Sequence, residues 1–115
     1  MADNTLNLLL DLDPAIQPTA FRFINLGRQY GFPVVVTSGR RTVAEQQRLV
    51  AAGRSTTMKS KHLEGLAFDI DMYGWNRDSV PSWVWWDWMG PMGEQIGLRW
   101  GGRWSTFVDV GHFEI

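Results

Sequence analysis

With 115 residues, 44% of them hydrophobic and 20% charged, the chain has the make-up of one ordinary globular domain with a modest core. A formal net charge of -1 supplies no field for a polyanion, so nucleic acid is not an expected partner. The absence of cysteine removes disulfides and thiolate metal sites, which leaves imidazole and carboxylate to hold any metal.

The opening stretch MADNTLNLLLDLDP sets acidic residues on both sides of a short apolar run. A secretory leader needs a basic start and a longer apolar stretch, and no window is long enough to span a bilayer. The expectation is therefore synthesis in a cytoplasm, with no signal peptide and no stable membrane insertion. Pro18 and the residues TAFRFINLGRQYG after it predict a helix, with Phe21, Ile24 and Arg28 on one face and Gly31 as its stop. FPVVVTSG predicts a short strand ending in a turn. Thr42 and Glu45 form a capping box that opens a helix through AEQQRLVAA, ended by Gly53.

Residues 54–61, RSTTMKSK, are polar and aperiodic and predict a loop. LAFDIDMY, residues 66–73, alternates as a strand does. Residues 82–97 read as helical, with Pro91 kinking or dividing the helix. LRWGGRW and FVDVGHFEI predict two further strands around a glycine turn. With no repeat, linker or βαβ rhythm, residues 1–115 are expected to form one α+β domain, a mainly antiparallel sheet flanked by helices. Four of the seven tryptophans fall in SWVWWDWMG, residues 82–90. Packing is the expected role for most of these four, with at least one ring in the core and at least one beside the cleft.

The chain has only two histidines, His62 and His112, each in a segment rich in glycine and carboxylate. His62 ends the polar loop just before Gly65, Asp69 lies in the next strand, and His112 lies near the C-terminus. Two imidazoles and a carboxylate on rigid elements would supply the three protein ligands of a catalytic zinc site, with water in the fourth position. Chemistry alone leaves this reading beside that of two histidines with satisfied ring nitrogens.

SKHLEGLAFDID resembles the S-x-H-x-x-G-x-A-x-D signature of the VanY-like zinc peptidases. That family includes D-alanyl-D-alanine carboxypeptidases, dipeptidases and the L-alanyl-D-glutamate peptidases of phage lysis systems. TSGRRT resembles the family's S-G-Y-R-[ST] turn, and LRWGGRWSTFVDVGHFEI resembles the closing stretch of the phage enzymes, endolysins among them. The matches run in the expected order from Thr37 to Ile115. The resemblance implies a Hedgehog/DD-peptidase-like fold and one Zn2+ on His62, Asp69 and His112. It places Asp109 as the general base that takes a proton from water and passes it to the leaving amine. It aligns Arg41 with an arginine that stabilises an oxyanion or clamps a substrate carboxylate, although Arg40 stands where the family has an aromatic residue. Ser60 is aligned for contact with substrate or for holding its own turn. Asp71, Glu64 and Glu114 are left between support of a ligand histidine and a solvated charge.

Three functions are open to these residues. The first is a zinc-dependent endopeptidase that cuts the L-alanyl-D-glutamate bond of peptidoglycan. It would act as a monomer, held in a host cytoplasm before lysis and then working on the wall, with a Gram-negative target by family habit. The second is a D-alanyl-D-alanine carboxypeptidase or dipeptidase on the same chemistry. The third is a zinc-stabilised wall-binding module without turnover, against which an intact Asp109 argues, because a structural site needs no base.

Overall fold

The computed structural model describes residues 2–115, apart from the side chain of Arg77. The acid-flanked apolar run near the N-terminus forms a short helix, α1 (Thr5–Leu10), that buries Leu9. The hydroxyl of Thr5 accepts a hydrogen bond from the backbone N–H of Val36 at 2.9 Å, which pins α1 to the first strand. Helix α2 (Gln17–Gln29) carries Pro18 in its first turn, as the fixed φ of proline favours. Its buried face is Ala20, Phe23, Ile24 and Gly27. The expected face of Phe21, Ile24 and Arg28 is thus rotated: Phe21 is half-buried, and Arg28 is exposed and donates to the Val34 carbonyl. Phe23 wins because its ring completes a trio with Phe68 and Phe113, whose centroids lie 4.5–6.0 Å apart.

Four strands, β1 (Val34–Ser38), β2 (Ala67–Met72), β3 (Arg99–Trp100) and β4 (His112–Glu114), form one sheet in the order β1-β2-β4-β3. Every pairing is antiparallel. This is the α+β arrangement that the sequence pattern predicts. The last two strands are much shorter than LRWGGRW and FVDVGHFEI suggest. Gly101–Arg103 turn as a 3-10 helix, and the Asp109 N–H bonds back to the Gly101 carbonyl at 3.1 Å, closing the intervening residues into a loop. Their apolar residues find no strand partner, and Phe107 and Val108 stay exposed.

Helix α3 (Val43–Ala51) is capped as predicted: the Thr42 hydroxyl accepts from the Glu45 N–H. The tryptophan-rich segment is a π-helix, Val84–Met89, running straight into α4 (Gly90–Gln95), whose first turn accommodates Pro91. Of the four tryptophans in residues 82–90, only Trp85 is buried. Trp86 packs edge-on to Trp100 at 4.7 Å, and Trp88 lies against Tyr30 at 5.4 Å. Among the described residues no helix is long and apolar enough to cross a membrane.

Gly65 shapes the approach to β2. It closes the 3-10 turn Lys61–Glu64 in the left-handed region at φ 70°. A Cβ there would come within 2.6 Å of the Arg40 guanidinium and 3.0 Å of the Asp13 backbone nitrogen. Gly53 has a similar φ of 72° but open space around it. Gly53→Ala should therefore cost only the left-handed strain, about 1–2 kcal/mol. Gly65→Ala should cost more, because crowding adds to strain. Urea unfolding of the two variants checks this; equal losses would mean that the turn relaxes freely.

Candidate metal centre

The centre is built on sheet register. Asp69 of β2 lies opposite His112 of β4, and on its other side opposite Ser38 of β1. Directly opposed residues in antiparallel strands share a face and meet. His112 Nδ1 accordingly sits 3.0 Å from Asp69 Oδ1. His62 arrives from outside the sheet on the 3-10 turn, which Ser60 caps by accepting from the His62 N–H at 3.2 Å. Its Nε2 lies 3.3 Å from the same Asp69 oxygen. One ligand atom from each of the three residues falls within a 4.8 Å cluster.

The far nitrogens of both rings are anchored. His62 Nδ1 faces the Gly39 carbonyl at 2.7 Å, and His112 Nε2 faces Glu114 Oε1 at 2.7 Å. Donation by these nitrogens leaves the facing nitrogens free to offer lone pairs toward the shared space, the arrangement that orients metal-binding imidazoles. Both rings are buried, 2% and 5% exposed. The donor set and its supports therefore fit a divalent metal ion. Histidine support comes from Glu114 and Gly39. Asp71 is buried and accepts from its neighbour's Met72 N–H, so the support considered for it falls to Glu114 instead. Glu64 is exposed and pairs with Lys61 at 3.7 Å.

Without a metal, protons hold the cluster together. Burial opposes charge on His112, but hydrogen bonds and charge from Asp69 and Glu114 outweigh it and raise its pKa to about 9. Burial likewise opposes ionisation of Asp69, yet the hydrogen bonds and charges of His112 and His62 hold its carboxyl well below the usual range. The hydrogen bond to His112 is the main cause that lowers Glu114.

Arg41 turns into this cluster, whereas Arg40 turns away to the Asp11 carbonyl. The Arg41 guanidinium uses all its nitrogens: Nη2 donates to Asp69 Oδ2 at 3.0 Å, Nε to Ser38 Oγ at 3.1 Å and Nη1 to Gln46 Oε1 at 3.2 Å. Gln46, 0% exposed, in turn donates to Ser55 Oγ at 2.9 Å and the Thr57 carbonyl at 2.7 Å. This glutamine joins the polar loop to the candidate metal ligand, a role that no sequence motif marks. Its one signal is a polar residue sharing a helix face with Leu49 and Val50.

Two grooves meet at the cluster. One, of about 510 Å³, includes Ser38, Arg41, Arg48, Arg54, Asp69 and Asp109. The other, of about 330 Å³, includes Ser55, Thr57, Ser60, His62, Trp104, Asp109, His112 and Glu114. Asp109 thus lines both grooves without belonging to the ligand cluster, and its Oδ1 accepts from the Gly111 N–H at 3.2 Å. Trp104 and Phe107 line the second groove, with the Trp104 centroid 4.8 Å from that of His112. None of Trp83 to Trp88 lines either groove, because the π-helix packs on the sheet's far end against Trp100, Tyr30 and Phe32.

Residues 53–115 match the model of a peptidase family described as D-alanyl-D-alanine carboxypeptidase. The chain belongs to this family. Among its relatives is an L-alanyl-D-glutamate peptidase of Listeria phage A118, 28% identical across 100% of the chain. The chain spans only 38% of that relative's length. The peptidoglycan L-alanyl-D-glutamate endopeptidase CwlK of Bacillus subtilis (strain 168) is also 28% identical, over 91% of the chain and 74% of CwlK. The crystal structure of the Serratia marcescens L-Ala D-Glu endopeptidase ChiX superposes with a TM-score of 0.71 at 28% identity, covering 100% of this chain and 88% of ChiX. The D,D-pentapeptidase VanY of a VanB-type resistance cassette, solved with Zn(II), shares the fold at a TM-score of 0.65 and 20% identity, over 90% of this chain and 71% of VanY.

Three outcomes are expected. A metal must displace the proton on His112, so apparent affinity for added Zn2+, measured by competition with a chromophoric chelator, should rise with pH until about 9 and then level. In the metal-free protein the raised His112 pKa contributes stability that is full below the ordinary histidine value of about 6.5 and fades as pH climbs through about 9. The depressed Asp69 contributes stability above the ordinary carboxylate range that fades as pH falls. Separately, Gln46→Leu leaves donors of Arg41 and acceptors of the loop unmatched, and should lower unfolding free energy by about 1–3 kcal/mol in a urea titration.

Proposed function

We propose that the protein is a zinc-dependent peptidoglycan endopeptidase that hydrolyses the L-alanyl-D-glutamate bond of cell-wall stem peptides. The observation that carries this reading is the His62, Asp69 and His112 cluster at the junction of two grooves, with Asp109 on the wall of both. The L-alanyl-D-glutamate names of relatives in a phage, Bacillus subtilis and Serratia marcescens support the choice of bond.

Zinc held by the three ligands supplies Lewis acidity toward water and toward the scissile carbonyl. The chain's own residues do the rest. Asp109 accepts the proton of the attacking water and returns it to the leaving amine. Arg41 neutralises the Asp69 oxygen that does not face the histidines and keeps the carboxylate aligned. Ser60 holds the turn that presents His62, and Glu114 holds the His112 ring. The family's own description favours a second reading, release of terminal D-alanine. Mass spectrometry of digested peptidoglycan separates the two, since new N-terminal D-glutamate marks the first and free D-alanine the second.

Two substitutions divide the carboxylate roles. Asp109→Asn should keep near-normal zinc while turnover falls by roughly a hundredfold or more, the scale for losing a positioned base. Asp69→Asn should lose zinc and activity together, because an anionic ligand becomes a weaker neutral one. Zinc occupancy by elemental analysis, read beside cleavage rate, decides between them. Reversed behaviour would exchange the two assignments.

A further inference from the structure

The larger groove is lined by three arginines, Arg41, Arg48 and Arg54, and by three acids, Glu45, Asp69 and Asp109. Arg41 is matched by Asp69, but Arg48 and Arg54 also line this groove, with Glu45 and Asp109 as its remaining acids. The Glu45 carboxylate already accepts from the Thr42 hydroxyl at 3.1 Å. Among the described residues neither the Arg48 nor the Arg54 guanidinium has a hydrogen-bond or ion-pair partner. The second groove shares Arg41 and Arg54 with the first but lacks Arg48, and adds Lys59, Lys61, hydroxyls and the rings of Trp104 and Phe107, with Lys61 paired to Glu64.

We infer that Arg48 and Arg54 form a carboxylate-binding subsite that receives the glutamate side of the scissile bond, so that the arginine-lined groove takes the amine half of the substrate. The inference rests on the endopeptidase reading. In a wall stem peptide the D-glutamate is joined onward through its side-chain carboxyl, which leaves its α-carboxylate free beside the scissile nitrogen. That anion lies within one residue of the reacting centre. The groove that holds both arginines also contains Asp69 and Asp109, so it reaches the same place. A guanidinium presents a planar fork of donors that matches a carboxylate in two parallel hydrogen bonds, a fit an ammonium group cannot make. Arg54 lines both grooves and so stands where the two halves of a bound peptide would part.

The test compares two synthetic peptides on the zinc-loaded protein: L-Ala-γ-D-Glu-L-Lys-D-Ala and the same peptide with the D-Glu α-carboxylate amidated, the C-terminal carboxylate being unchanged. The native protein should favour the acid by about tenfold or more in kcat/KM, the scale of one charge-assisted contact. In R48Q/R54Q the preference should fall toward one, chiefly through a higher KM for the acid peptide, with zinc content retained. Arg22→Gln, on a different surface groove, controls for a general change in charge and should retain the preference. If the native protein cleaves both peptides equally, or if R48Q/R54Q keeps the full preference, the subsite is wrong and the endopeptidase reading stands. An Arg22→Gln variant that also loses the preference overturns the subsite in favour of bulk charge. If the zinc-loaded native protein cleaves neither peptide, the endopeptidase reading itself fails and the subsite with it.

Discussion

The pairing of Asp69 with His112 across β2 and β4 is the constraint on which the site depends. It brings together two residues of the candidate centre 43 positions apart. A slip of one residue in this register would send one of the two side chains to the opposite face of the sheet. The aromatic core resists that slip. Phe68 and Phe113, each one position from a ligand, stack at 6.0 Å under Phe23, on the face away from the metal cluster. Apolar burial on one side of the sheet therefore fixes ligand geometry on the other.

Charge is arranged around this pairing in layers. Asp69 gives Oδ1 to the two histidines and Oδ2 to Arg41. Arg41 is held by Gln46, and Gln46 by the loop that walls the second groove. Each link satisfies a polar group that burial would otherwise penalise, so the network is stable only when complete. A backbone hydrogen bond from the Arg41 N–H to the His62 carbonyl, at 2.9 Å, ties the two turns directly.

The three residues of the cluster stand out in the sequence because their neighbourhoods are short and dense in glycine and carboxylate, and the strand through Asp69 announces itself by alternation. Their supports do not. Gln46 takes one partner from the turn after β1 and the others from a loop nine to eleven positions onward, a combination that no local pattern encodes. The Gly39 carbonyl has no sequence signature at all. The C-terminal strands look longer in the sequence than they are because FVDV alternates like a strand, yet the Asp109 to Gly101 hydrogen bond closes that stretch into a loop. The tryptophan cluster misleads in its location, since composition shows that aromatic rings are abundant but not which end of the sheet they cover.

The contact between Trp104 and His112 has a spectroscopic consequence. The indole is 38% exposed and its ring centre lies 4.8 Å from an imidazole that carries a proton in the metal-free protein. A charged imidazolium is an efficient quencher of indole emission, whereas a neutral, ligated imidazole is a weak one. A change of charge on His112 therefore bears on Trp104 more directly than on the tryptophans that pack at the sheet's far end.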